Sequence, residues 1–142
     1  MAFADIYKTG GHKRNLGHFA NIIKLALSDN KISDKEQEVI SHLKRQLHIS
    51  DADYQKILKA PNSIPINPPA NLNARLERFF NLISVVIADN KIKEKQLRLL
   101  ESITVGLGFV VSDTKRIVAK AVNFVVEGYE LEKFSVEMKK IL

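Results

Sequence analysis

Apolar residues recur along this chain at helical spacing. Phe19, Ile22, Ile23, Ala26 and Leu27 follow i, i+3, i+4, i+7, i+8, and Phe79, Leu82, Ile83, Val86 and Ile87 do the same further along. Each set is the core-facing stripe of an amphipathic helix. Val39, Ile40, Leu43 and Leu47 predict a second helix, with Leu99, Leu100, Ile103 and Leu107 as its counterpart. Ile57 and Leu58 mark a short third helix, matched by Ile117 and Val118 in a helix that Val122 and Val125 extend. Leu131, Phe134, Met138 and Ile141 form a narrow stripe on a last helix, read as covering the chain's own core, with docking on a partner as the alternative.

The two series are one pattern repeated at an offset of 60 residues. Between 19–60 and 79–120, 11 of 42 positions are identical without a gap, against about two or three expected by chance at ordinary composition. Boundary signals agree. Ser33 and Glu36 make a capping box, Ser50 with Asp53 an acidic variant of it, and Ser112 is expected to cap the corresponding helix of the second copy. Gly108 and Gly128 stand where helices should end. All four prolines fall in 61–69, a stretch expected to be non-helical, with Asn71 capping the helix that follows. The predicted fold is all-α, with about seven helices in a single domain over 1–142. Copy one spans 16–60, a proline-rich linker 61–71, copy two 72–127 and a C-terminal helix 129–142. A copy of about 40 residues is too small to be comfortably stable alone, so the two are expected to pack together about a pseudo-two-fold.

Composition narrows the chemistry. The 142 residues contain no cysteine, which removes disulfides, thiolate zinc sites and cysteine nucleophiles. No apolar stretch approaches the roughly 20 residues of a membrane span, and no leader pattern opens the chain, so the expectation is a cytoplasmic protein. The net charge is +6, with an excess of three cations in 1–60 and three in 61–142. So even a spread reads as a solvated surface; nucleic acid is the disfavoured partner. Lys44, Arg45, Arg75, Arg78 and Arg98 are assigned to solvated faces.

Asp29, Asn30, Lys31 and Ile32 recur unchanged as Asp89, Asn90, Lys91 and Ile92. Helix periodicity does not require the three polar residues, so they need a local cause. One reading is structural. Asn tolerates the left-handed conformation past a helix end, Asp accepts downstream backbone N–H groups in an Asx-turn, and Ile32 and Ile92 plug the corner. The other is electrostatic. A carboxylate at a helix C-terminus opposes the macrodipole by a few tenths to about 1 kcal/mol, and a hard cation offsets that. Asp34 and Glu36 in copy one and Glu94 in copy two lie close in sequence, which makes Asp29, Asp34, Glu36, Asp89 and Glu94 the candidate metal ligands, with a divalent cation such as calcium as the cofactor. The pattern is not an EF-hand, because Lys31 and Asp34 stand where that loop needs an oxygen ligand and a glycine.

An apolar helix ending in Ala26, Asp29, Asn30, Ile32 and Glu36, repeated as Val86, Asp89, Asn90, Ile92 and Gln96, resembles the tellurite-resistance protein TerB and its relatives, including a domain of a membrane-anchored DnaJ-like co-chaperone. The resemblance covers about 19–125. It implies an all-helical fold with a pseudo-two-fold, a bacterial stress or resistance setting, no catalysis, and a protein partner near the inner membrane. It also implies divalent-metal binding through Asp29, Glu36 and Asp89. Asn30 and Asn90 replace the family's usual glycine, and Gln96 replaces its second acid.

The four histidines, His12, His18, His42 and His48, make no zinc-hydrolase pair and read as surface residues. No nucleophile elbow or phosphate loop occurs. Thr9 to Arg14 is glycine-rich and basic, and is placed before the first helix. It reads as a flexible lead or, through His12, Lys13 and Arg14, as an anion site. The leading function is therefore a non-enzymatic TerB-like binding module. The alternative is an anion or nucleic-acid binder using the basic surface.

Overall fold

A computed structural model describes residues 2–28, 30–64, 68, 69, 71–109 and 111–142, with side chains from residue 11 onward except that of residue 111. Seven α-helices account for most of them: α1 (Ala2–Ala26), α2 (Asp34–Gln46), α3 (Asp51–Lys59), α4 (Leu72–Val86), α5 (Glu94–Gly106), α6 (Thr114–Val126) and α7 (Leu131–Ile141). Short 3-10 turns occupy Pro61–Ser63 and Val111–Asp113, and no strand occurs among the described residues. None of these helices is long and apolar enough to cross a membrane.

Helix starts follow the sequence signals in copy one. The Ser33 hydroxyl accepts from Glu36 N at 3.1 Å while Ser33 N donates to Glu36 Oε1 at 2.9 Å, a complete capping box for α2. Ser50 accepts from Asp53 N, and Asn71 Oδ1 accepts from Asn73 N and Ala74 N. Copy two departs from this. Lys93 stands at the N-cap of α5 and Asp113 at that of α6, neither with a side-chain cap. Ser112 is not the cap, because the 3-10 turn containing it leads directly into α6.

Two boundaries differ from expectation. The first helix begins at Ala2, so Gly10 to Arg14 lie inside it. Each mid-helix glycine costs about 1 kcal/mol, and contacts to copy one oppose that cost: His12 Nε2 lies 3.3 Å from Asp53 Oδ2, and Asn15 Nδ2 donates to Leu47 O at 3.3 Å. The proline stretch opens with a 3-10 turn, which suits Pro61 at its first position because the missing N–H would have had no partner there.

The centre of the molecule is the crossing of α1 and α4, the repeat-equivalent helices. Phe19, Ile22, Ile23 and Leu25 on one, and Leu76, Phe79, Leu82 and Ile83 on the other, have no solvent exposure. The cross-contacts are reciprocal: α2 packs on α4 as well as α1, and α5 on α1 as well as α4. Such an exchange is what a two-fold relation between the copies requires. Helix α7 lies on α4 and α6, and the turn Pro61–Ser63 lies on α1 and α3, so the turn fills in copy one the place that α7 takes in copy two. The stripe on α7 therefore covers the protein's own core. Phe134 and Met138 are fully buried, and the Phe134 ring meets Phe79 and Phe80 edge-on with centroids 6.2 and 5.2 Å away.

Candidate functional site

The repeated turn is built the same way twice. Asn30 (φ 66) and Asn90 (φ 59) take the left-handed conformation just past α1 and α4. Their N–H groups donate to Leu27 O and Ile87 O at 2.8 and 3.0 Å, closing the last turn. In copy two Asp89 Oδ1 accepts from Lys91 N at 3.2 Å, the expected Asx-turn, and Asp89 Oδ2 lies 4.0 Å from Lys93 Nζ. Asp29 lies outside the described residues. Ile32 packs against the core, but Ile92 is 45% exposed, so only the first isoleucine plugs its corner.

The other metal candidates point in different directions. Asp34 is exposed on the first turn of α2, and Glu94 is exposed and paired with Arg98 at 2.6 Å. Glu36 is fully buried. Two residues apart on a helix means about 200° of rotation, so Asp34 and Glu36 cannot share a face. No group of three or more His, Asp or Glu side chains placed to hold a metal occurs among the described residues.

Glu36 instead meets its repeat equivalent. Gln96 Nε2 donates to Glu36 Oε2 at 2.8 Å and to Leu25 O at 3.2 Å, with both side chains at zero exposure. Residues at equivalent positions touch one another only beside the two-fold axis. The acid-to-amide change at 96 is the physical condition for this contact, since two carboxylates so close cannot both ionise. Gln96 uses both amide protons on acceptors, and its Oε1 is buried without a partner. With Oε1 unbonded, Gln96 does not take up at the start of α5 the bond that Glu36 Oε1 accepts from Ser33 N at the start of α2. The sequence shows the substitution; that positions 36 and 96 face each other follows only from the packing.

The basic candidates are also dispersed. His12 is engaged with Asp53, while Lys13 and Arg14 are exposed on α1. Lying within a regular helix, the three fan out by about 100° per residue and do not enclose an anion by themselves. His18 and Arg78, assigned above to the surface, are buried at 2% and 9% exposure. They are repeat equivalents, as are Asn21 and Asn81. His18 Nε2 sits 3.1 Å from Asn81 Oδ1, and burial, with Arg78 nearby adding to it, pushes the His18 imidazole down to about 4. Arg78 Nη2 donates to Arg14 O at 3.3 Å, and burial, then the Arg14 charge, lower its pKa. Arg75, one turn earlier on α4, is half-buried. Its Nε has no partner, and its guanidinium carbon stands 5.9 Å from the Phe109 ring centroid. The signal for burial was present in the stripe itself, since 75 and 78 flank Leu76 and Phe79 at helical spacing.

The outer surface carries an open groove of 670 Å³ between α5 and α6, lined among others by Arg98, Ser102, Val105 and Lys115. Comparison with known protein families, with curated proteins and with solved structures finds no match to this chain.

Proposed function

We propose that this chain is a non-enzymatic helical binding module of the TerB-like kind, acting in a bacterial stress or tellurite- and metal-resistance setting and presenting its outer helix surfaces to a protein partner. The observation that supports it is the use made of the repeated turn. Asn30 and Asn90 close helix ends, Asp89 makes an Asx-turn, and Glu36 with Gln96 joins the two copies. The polar residues of the repeat thus hold a rigid frame, and what varies between surfaces is left for recognition. The decisive experiment is genetic: deletion in the source cells, challenge with tellurite and divalent metals, and complementation. Loss of resistance restored by the parent chain supports the reading; unchanged growth under every stress removes it.

The cation-binding part of this reading rests on Asp89 and Asp29. Calorimetric titration of the chain with calcium tests it. Saturable heat that Asp89→Asn abolishes retains a divalent cation in the function, and absence of heat at millimolar calcium strikes it out.

A further inference from the structure

We propose that the outer face of α7 is a dimerisation surface, on which a second copy of this chain lays its own α7 antiparallel. This goes beyond the protein-binding reading and does not depend on it. Phe134, Met138 and Ile141 hold the helix to the core. At about 100° per residue, Glu132, Val136, Lys139 and Lys140 fall together on one arc opposite them. All four are exposed, Val136 by 52%.

Charge is sorted along this face. Around the start of α7 an open groove of 580 Å³ is lined by Glu127, Tyr129, Glu130, Glu132, Lys133 and Val136. Its one ammonium is held on an aromatic ring, with Lys133 Nζ 4.2 Å from the Tyr129 centroid. Past Val136 the balance reverses, with Lys139 and Lys140 following the single acid Glu137. Lys140 Nζ lies 3.0 Å from Glu137 Oε1 and keeps donors for a second carboxylate. A two-fold axis turns this asymmetry into a match. With Val136 of both copies on the axis, residues 132 and 140 are equally far from it, so Glu132 of each copy meets Lys140 of the other. Lys139 of the second copy comes opposite residue 133, whose ammonium already rests on Tyr129. A parallel pairing would instead set Glu132 on Glu132 and Lys140 on Lys140. The antiparallel contact uses the same patch on both copies and closes at two. It buries one face of an 11-residue helix per copy, a small interface, so the dimer is a reversible one populated at high-micromolar concentration.

Sedimentation equilibrium of the full chain, from micromolar to millimolar concentration, reads the mass directly. The parent should rise reversibly toward twice its monomer mass. Glu132→Lys and Lys140→Glu each set like charges against one another at two places across the axis, and each should weaken the dimer by roughly ten-fold or more. Val136→Glu, which brings two carboxylates together on the axis, should do the same. Glu38→Lys on α2 changes the net charge as Glu132→Lys does, but away from α7, and should associate as the parent does. An equimolar mixture of Glu132→Lys and Lys140→Glu should recover the parent's dimer, because opposite charges then face each other at both places. Neither misfolding nor altered net charge produces that recovery, and circular dichroism checks the helix content of each variant. A parent chain that stays monomeric at millimolar concentration, a dimer that the single reversals leave intact, or a mixture that stays monomeric overturns the proposal.

Discussion

Five described residues have positive φ, and four of them form repeat pairs: Asn30 with Asn90, and His48 (φ 56) with Gly108 (φ 94). The same backbone demand is met by different side chains, which makes its cost measurable. Left-handed backbone is unfavourable for a residue with a Cβ and nearly free for glycine. His48→Gly should raise stability by about 0.5–1 kcal/mol, and Gly108→Ala should lower it by about 1 kcal/mol through its left-handed backbone, the Arg75 guanidinium nearby being able to move aside. Urea midpoints read both. His18 makes a second prediction. Its pKa falls from 6.5 to about 4 on folding, so the native state holds it neutral while the unfolded chain takes up a proton first. The associated stability is complete above pH 6.5 and is lost as pH falls toward 4, amounting to about 3 kcal/mol at the lower end. His18→Gln should flatten that window in a comparison of melting midpoints from pH 7 to 4, a difference that cancels the ordinary carboxylates.

Among the helices, the paired starts of α2 and α5 show how the copies have diverged. Ser33→Ala removes the cap of α2 and should cost about 1 kcal/mol. Lys93→Ser supplies α5 with the cap it lacks, and should gain about 0.5–1 kcal/mol despite losing the loose 4.0 Å pair with Asp89. Guanidinium-induced unfolding of the two variants should move in opposite directions. The contact between α2 and α5 makes a sharper test. Gln96→Glu would set two buried carboxylates against each other, so they could persist only by sharing a proton. That raises a folded-state pKa above its unfolded value, and stability should then fall as pH rises above about 4.3. At pH 7 a loss of about 3 kcal/mol or more is expected, and a variant as stable at pH 7 as at pH 4 would show that the two groups do not meet. These starts were legible where a hydroxyl or amide stood before the helix, as at Ser33, Ser50 and Asn71. The start of α1 was not, because Gly10 and Gly11 argue locally against a helix that contacts with α3 and Leu47 sustain.

For the molecule entire, α7 completes copy two as the turn Pro61–Ser63 completes copy one. Phe134 touches α4 through two aromatic contacts, so Phe134→Ala should cost about 3–5 kcal/mol. The exposed neighbour Val136, at 52% exposure, should tolerate alanine within about 0.5 kcal/mol. Chemical denaturation of both variants separates a helix that closes the core from one merely resting on it. If Phe134→Ala is as mild as Val136→Ala, α7 is peripheral.

Local order was readable along the chain wherever one residue and its near neighbours sufficed. Apolar spacing defined the helices, Asn30, Asn90, Gly108 and Gly128 marked their ends, and the 60-residue offset announced two similar copies. Those signals depend on backbone preferences and on periodicity, both short-range properties. The meeting of Glu36 with Gln96 and the burial of His18 and Arg78 were decided by the crossing of α1 and α4. A polar residue beside an apolar stripe can face solvent or a neighbouring helix equally well, and only the path of that neighbour, dozens of residues away along the chain, selects between them.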